Sequence, residues 1–197
     1  MCREDLYKSL LKDISGTYVE LGTCWGGFAE FLLLNTGVTK LYCVDPYKLF
    51  PRDSYFDALN FTTQEQLDQK YKTVVNRLQL NSVKKPVTVF RMTSYQASQE
   101  LPNSLQFVYI DGNHHHKEVL KDLICWWPKI SPGGYLCGDD VEDINEPHIE
   151  GDLLIQRPGS FGVYGVATAL RDFARVCPDF QYTIVENQFW ARKPKKY

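Results

Sequence analysis

The sequence predicts one α/β domain built on a doubly wound, mostly parallel sheet. Short apolar runs alternate with helical segments along most of the chain, and glycines or acidic residues follow the apolar runs. The length agrees with this reading, because 197 residues with 44% hydrophobic side chains suit a single domain over residues 1–197. Two full catalytic domains are excluded.

The first half of the chain begins with a β-α-β unit. Its predicted elements are a leading helix around 6–11, a buried strand at 17–22, a helix around 28–34, a strand at 40–45, a helix around 67–78 and a strand at 86–91. The helix around 67–78 has apolar residues at a spacing of 3.6, and Pro46 stops the strand before it. Right-handed crossovers between such units give parallel strands.

The second half of the chain continues the alternation of strands and helices and ends in two consecutive strands. Its predicted elements are a strand at 105–111, a helix at 116–127, a strand at 134–138, a helix around 163–176 and strands at 181–185 and 188–192. The Glu186-Asn187 pair between the last two strands predicts a hairpin that adds an antiparallel edge strand. Residues 139–161 form a long irregular stretch, which is typical of a lid or of a solvated insertion.

Charge and composition narrow the function classes. A formal net charge of −2 disfavours a nucleic-acid partner. No apolar stretch near the start approaches the roughly 20 residues of a membrane span, so we expect a cytoplasmic protein without a membrane partner. The six cysteines are scattered without a C-x-x-C pair, which fits reduced thiols.

The residues directly after the strands are the candidate ligand site, because ligands of open α/β sheets bind beyond the carboxyl ends of the strands. Residues 22–27 leave a strand and enter a helix, where glycines permit a tight turn and free N–H groups face an anion. Asp45 can accept hydrogen bonds from both hydroxyls of a ribose. Together these features favour an adenosyl ligand, although the glycine turn alone also suits tight helix packing.

Three acidic residues follow the fourth and fifth strands and are expected at one rim. Asp111, Asp139 and Asp140 would repel one another, so a divalent cation is expected, Mg²⁺ before Mn²⁺ or Ca²⁺. Alternatively, Asp139 or Asp140 only caps a turn. His114 is the candidate general base, with the alternative that the three adjacent histidines, 114–116, face solvent.

Four sequence blocks carry a resemblance to a known family. They are Val19-Glu20-Leu21-Gly22-Thr23-x-x-Gly26-Gly27, Val44-Asp45-Pro46-Tyr47, Tyr109-Ile110-Asp111-Gly112-x-His114 and Pro132-Gly133-Gly134-Tyr135-x-x-Gly138-Asp139-Asp140. Together they resemble class I S-adenosylmethionine-dependent methyltransferases, in particular the metal-dependent O-methyltransferases similar to the macrocin and mycinamicin enzymes. The resemblance implies a Rossmann-like, seven-stranded sheet.

The resemblance also implies roles for individual residues. The implied cofactor-binding residues are Glu20, Gly22, Thr23, Gly26, Asp45, Tyr47, Met92, Ser94 and Asp111. The implied metal ligands are Asp111, Asp139 and Asp140, and the implied catalytic residues are His114 and Asp111. Cys24 departs from the pattern, since many relatives have glycine there.

The function expected from these residues is metal-dependent transfer of a methyl group from S-adenosylmethionine to a hydroxyl of a sugar or glycan. The alternatives are a catechol-like phenol as acceptor, an NAD-dependent oxidoreductase, and a non-catalytic S-adenosylmethionine-binding domain. The partner is thus a small-molecule or glycan acceptor. A homodimer is possible, because Phe189 and Trp190 of the hairpin either pair subunits or cover the sheet.

Overall fold

Helices and strands alternate in the order that the periodicity predicts. The computed structural model describes residues 2–50, 63–81, 85–141, 143–144, 148–150, 153–155 and 164–195. Its helices are α1 (Arg3–Leu10), α2 (Gly27–Asn35), α3 (Gln64–Asn81), α4 (Ser94–Glu100), α5 (His116–Trp126) and α6 (Val166–Val176). Its strands are β1 (Ser15–Leu21), β2 (Gly37–Val44), β3 (Val87–Phe90), β4 (Leu105–Ile110), β5 (Ile130–Gly138), β6 (Asp143–Ile144), β7 (His148–Glu150), β8 (Leu153–Ile155), β9 (Tyr164–Gly165), β10 (Tyr182–Val185) and β11 (Gln188–Arg192).

The main sheet has seven strands in the order β3-β2-β1-β4-β5-β11-β10. The first five strands of this order run parallel. Because β2 lies on one side of β1 and β4 on the other, the strand order reverses between β1 and β4. The predicted doubly wound sheet is confirmed, and its switch point lies at the carboxyl ends of β1 and β4.

The C-terminal hairpin is confirmed, but its antiparallel strand is not at the edge. β11 runs antiparallel between β5 and β10, and β10 forms the edge. Phe189 is buried, and a Cβ at Gly138 would lie only 2.4 Å from its ring, so the two strands meet closely. Phe189 therefore belongs to the core of the sheet and offers no surface to a second subunit.

Helices cover both faces of the sheet and bury two hydrophobic clusters. α1, α2 and α3 pack on one face, where Tyr7 and Leu78 are fully buried. α4, α5 and α6 pack on the other face, around Trp126 and Phe173. Among the described residues, none of these helices has the length and apolar character needed to cross a membrane.

Two local features differ from the sequence prediction. α4 was not expected, although Thr93 and Gln96 form a capping box at its start. Within the stretch predicted to be irregular, β7 pairs with β8. β6 of the same stretch pairs with β9, which occupies the start of the helix predicted around 163–176. The lid or solvated insertion expected over residues 139–161 falls partly on residues 142, 145–147, 151–152 and 156–161, which lie outside the described residues.

Candidate active site

The turn between β1 and α2 is shaped by two glycines. Gly22 has a φ of +87°, and a Cβ there would lie 1.8 Å from the carbonyl oxygen of Asp111. Gly26 has a φ of +73° directly before α2. A side chain is excluded at the first position by contact and strained at the second by its backbone angle. The backbone of this turn therefore lies directly against the residue that follows β4.

Asp45 joins the glycine turn to the end of β2. Its Oδ2 accepts a hydrogen bond from the Cys24 N–H at 2.9 Å, and its Oδ1 accepts one from the Tyr47 N–H at 2.8 Å. Burial raises the pKa of Asp45, which these two bonds and the charge of Lys70 partly oppose. Since a carboxylate has about four acceptor positions, two remain for ligand hydroxyls.

Tyr47 is hydrogen-bonded to the backbone of the glycine turn. It is buried, has a φ of +42°, and its hydroxyl donates to the Cys24 carbonyl at 3.0 Å. Its predicted contact with a cofactor therefore does not involve a free hydroxyl. Lys70, which the sequence analysis did not single out, is also buried here, with its Nζ 3.6 Å from the Cys24 sulfur and 4.3 Å from the centre of the Trp25 ring.

Glu20 is a buried acid beneath the glycine turn. Its side chain is 2% exposed, and its Oε2 atom has no hydrogen-bond partner of normal length and angle among the described residues. Burial, together with the charge of Asp111, raises the pKa of Glu20 to about 8, and the nearby Thr23 hydroxyl opposes only part of this rise. A buried oxygen without a donor is costly, so a ligand that donates to it would be stabilised.

Open space lies beside the turn. A Cβ at Gly27 or at Gly112 would meet nothing within 4 Å. The glycine turn, Asp45 and Glu20 lie at the ends of the neighbouring strands β1 and β2, next to the switch point. These residues fit an adenosyl ligand that carries hydroxyls and a positive charge.

Met92 and Ser94 follow β3, as predicted, but their side chains are committed elsewhere. The Ser94 hydroxyl donates to Asp122 of α5 and accepts a hydrogen bond from Trp126 Nε1 at 2.8 Å. Met92 packs against the core cluster between the sheet and α5. The predicted contact of these residues with an adenine ring stays a prediction.

The structure brings the three predicted acids to one rim, together with two basic groups. Arg3 Nη1 lies 3.3 Å from Asp139 Oδ2 and 3.6 Å from Asp111 Oδ2. His114 Nε2 lies 3.6 Å from Asp111 Oδ1 and 3.5 Å from Asp140 Oδ2. Acidic and basic groups therefore alternate, and Asp111 lies between the guanidinium and the imidazole.

Asp139 is fully engaged by protein groups. Its Oδ1 accepts from Gln188 Nε2 and from the Asp140 N–H, and its Oδ2 accepts from Arg3. The Tyr109 hydroxyl lies 3.2 Å from the same Oδ2 and 2.9 Å from Gln188 Oε1, and its single proton is shared between them. Protein groups therefore occupy both oxygens of the Asp139 carboxylate. In the part of the chain that the structure describes, no group of three His, Cys, Asp or Glu side chains is arranged to hold a metal ion. As arranged, these acids do not fit the predicted divalent cation.

Arg3 is the main site residue that the sequence analysis missed. Its guanidinium lies 4.8 Å from the centre of the Phe28 ring and is 31% exposed. Burial opposes its charge, but Tyr109 and the two carboxylates outweigh this effect and raise its pKa. The contact with Asp139 joins positions 136 residues apart, so no local pattern reveals it.

The three adjacent histidines have different environments. His114 lies against Asp111 and Asp140. The backbone carbonyl of His115 accepts from the first turn of α5, and His116 Nε2 lies 3.0 Å from Asp172 Oδ2 on α6. The structure therefore places His114 at the acidic rim, while His116 joins two helices.

Comparison with curated proteins finds a viral relative. The chain is 28% identical over 145 residues to "Uncharacterized protein R132" of Acanthamoeba polyphaga mimivirus, over 71% of this chain and 58% of that protein. The chain thus spans little more than half the length of this curated relative.

Two solved structures share the fold. The O-methyltransferase NovP superposes with a TM-score of 0.64 at 14% identity, over 98% of this chain and 80% of that one. SMU.1697c of Streptococcus mutans, solved in complex with SAH, gives a TM-score of 0.63 at 11% identity, over 98% and 99% of the two chains. At these identities the likeness shows a common fold alone.

The methyltransferase-domain family model matches residues 19–141, which is more than half of the chain. The matched range contains the glycine turn, Asp45, Asp111, His114, Asp139 and Asp140. This chain belongs to the methyltransferase-domain family.

Proposed function

We propose that this protein transfers a methyl group from S-adenosylmethionine to a hydroxyl of a small-molecule or glycan acceptor. The observation that carries the proposal is the backbone contact between Gly22 and Asp111. It joins the region suited to an adenosyl ligand to the cluster of acidic and basic groups at one edge of the sheet. The fold shared with NovP, an O-methyltransferase, and with SMU.1697c, which binds SAH, supports this reaction class.

Three parts of the site would hold the cofactor. The spare acceptor positions of Asp45 suit the ribose hydroxyls, and the first N–H groups of α2, which begins directly after the glycine turn, suit a carboxylate. The Glu20 carboxyl group, once ionised, suits the cationic part of the molecule. When bound, S-adenosylmethionine supplies an electrophilic methyl group on a sulfonium.

His114 would accept the proton of the acceptor hydroxyl on its imidazole ring. Asp111 and Asp140 lie within 3.6 Å of Nε2, so their carboxylates stabilise the imidazolium that results. General-base catalysis of this kind contributes about 10²- to 10⁴-fold. An alcohol depends on such a base more than a phenol does, since a phenol ionises more easily. We therefore propose a sugar hydroxyl before a catechol-like phenol.

The first test is calorimetric titration of S-adenosylhomocysteine into the purified protein, with NADH as a parallel probe. We expect saturable binding of S-adenosylhomocysteine and none of NADH. Binding of NADH alone would overturn the proposal in favour of an oxidoreductase.

The acceptor is tested by a screen for formation of S-adenosylhomocysteine from S-adenosylmethionine. Hexoses and glycans are compared with catechols at equal concentration. Turnover with hexoses supports a sugar acceptor, whereas turnover confined to catechols contradicts it. Binding without turnover on any hydroxyl compound would favour a non-catalytic domain.

A further inference from the structure

We propose that Arg3 takes the position of a divalent cation at the acidic rim, so that the methyl transfer proposed above proceeds without a metal. This inference rests on the proposed function and deepens it. Arg3 is a positioning residue. It holds the carboxylates of Asp111 and Asp139, and Asp111 in turn faces His114.

Arg3 contacts the same carboxylate oxygens that a bridging cation would need. Arg3 Nη1 lies 3.6 Å from Asp111 Oδ2 and 3.3 Å from Asp139 Oδ2. Mg²⁺ bound by these same two oxygens would need to lie about 2.1 Å from each. Arg3 Nη1 already pairs with both of these oxygens, so the guanidinium and a cation would compete for the same two ligands. Arg3 and a bridging cation are therefore alternatives.

The helix that carries Arg3, α1, is packed firmly on the sheet. Tyr7 and Leu11 beside it are fully buried, and the Tyr7 hydroxyl donates to Gln188 Oε1 at 3.1 Å. Gln188 in turn donates to Asp139, the acid that Arg3 contacts. The helix that carries Arg3 is thus anchored in the core and linked to the same carboxylate. Arg3 is a built part of the rim and not a loose surface side chain.

Arg3 and His114 lie among the carboxylates of the rim. A metal centre gathers carboxylates because the cation offsets their repulsion. Here Asp111 and Asp139 share the guanidinium, while Asp111 and Asp140 share the imidazole of His114. The guanidinium cannot lose its proton in this environment, so it supplies a permanent positive charge. The need for a cation is therefore met within the chain.

The test is titration of Mn²⁺ alone, followed by calorimetry and by the electron paramagnetic resonance of the free ion. The proteins are the full chain, Arg3→Met, Arg3→Lys and Arg175→Met, a control that removes an exposed arginine of α6. We expect the unmodified protein, Arg3→Lys and the control to bind Mn²⁺ equally weakly. Arg3→Met frees both carboxylates and should gain at least about tenfold in affinity, which the added change Asp139→Asn should abolish.

Two results would overturn the inference. One is stoichiometric Mn²⁺ binding by the unmodified protein that Asp139→Asn removes, and the other is a folded Arg3→Met variant with no gain in affinity. Circular dichroism checks the fold of each variant, and Arg3→Gln replaces Arg3→Met if the latter does not fold. Titration of S-adenosylhomocysteine into the same samples separates the two proposals. If S-adenosylhomocysteine does not bind, the methyltransferase function is refuted. If the unmodified protein binds both S-adenosylhomocysteine and stoichiometric Mn²⁺, only the role of Arg3 is refuted.

Discussion

Gly22 and Asp111 touch through their backbones, although one follows β1 and the other follows β4. The Gly22 N–H donates to the Val44 carbonyl, and the Asp111 N–H donates to the Leu21 carbonyl, each at 2.8 Å. A Cβ on Gly22 would lie 1.8 Å from the Asp111 carbonyl oxygen. The ends of three neighbouring strands are thus locked together where the proposed cofactor and acceptor meet.

Gly22→Ala should destabilise the protein by about 2–4 kcal/mol, because it combines a left-handed backbone angle with a steric clash. Displacing the turn should also abolish binding of S-adenosylhomocysteine. Thermal unfolding and calorimetry measure the two effects. The matched control is Gly27→Ala, whose Cβ meets nothing within 4 Å. We expect its stability to change by less than about 1 kcal/mol, and an equal loss in both variants would contradict the assignment.

Asp45→Asn should weaken binding of S-adenosylhomocysteine by about 10- to 100-fold. The reason is that the ribose hydroxyls lose charge-assisted hydrogen bonds worth about 1.5–3 kcal/mol. The asparagine still accepts one of the two backbone bonds that Asp45 makes to Cys24 and Tyr47. Asp179→Asn, at an exposed acid paired with Lys193, serves as the control and should bind normally. Unchanged affinity in Asp45→Asn would remove this residue from the cofactor site.

Binding of the cofactor should release a proton from Glu20. The pKa of Glu20 is raised to about 8, and a cationic ligand favours the ionised carboxylate, so the affinity for S-adenosylmethionine should increase as the pH rises towards 8. Calorimetry in phosphate and in Tris buffers detects the proton through the different buffer enthalpies. Glu20→Gln should bind with no release and no such pH dependence. Equal release by both proteins would assign the proton to another group.

The raised pKa of Asp122 should make the stability of the protein depend on pH. Burial raises its pKa to about 7, against the hydrogen bond from Ser94. The folded chain therefore holds this proton between about pH 4 and pH 7, where the unfolded chain releases it. The contribution to stability is complete below the unfolded pKa and is lost as the pH rises to about 7.

Asp122→Asn should therefore raise stability above pH 7 by about 1–3 kcal/mol and flatten the pH profile. Asparagine keeps the size of the side chain and an acceptor for Ser94. Denaturant unfolding from pH 4 to pH 8 measures the effect. Asp13→Asn, at an exposed acid, is the control, and a parallel change in both profiles would contradict the prediction.

His114→Gln should lower kcat by about 10²- to 10⁴-fold once an acceptor is known, because the general base is lost. Its affinity for S-adenosylhomocysteine should stay close to normal. The control His115→Ala removes a neighbouring imidazole and keeps the backbone carbonyl that accepts hydrogen bonds at the start of α5. A similar loss of turnover in both variants would point to a structural effect and against proton transfer by His114.

The positions of the site residues could be predicted because parallel strands bring their carboxyl ends to one edge. Asp45, Asp111 and Asp139 each follow a strand that its apolar run reveals. The hydrogen-bond partners of the side chains could not be predicted from the sequence in the same way. Ser94 follows β3 as expected, but its hydroxyl binds Asp122, which a helix far along the chain supplies.

The alternation of strands and helices, the glycine turn and the row of acids could all be predicted from the sequence, since each depends on residues that are close in the chain. The groups that neutralise those acids come from distant parts of the chain and appear first in the folded structure. Arg3 reaches Asp139 across 136 positions, and Tyr109 reaches Gln188 across 79. Such contacts arise when a helix packs on the sheet or when strands far apart in the chain join the same sheet, so a sequence that displays carboxylates does not show whether a metal ion or an arginine stands between them.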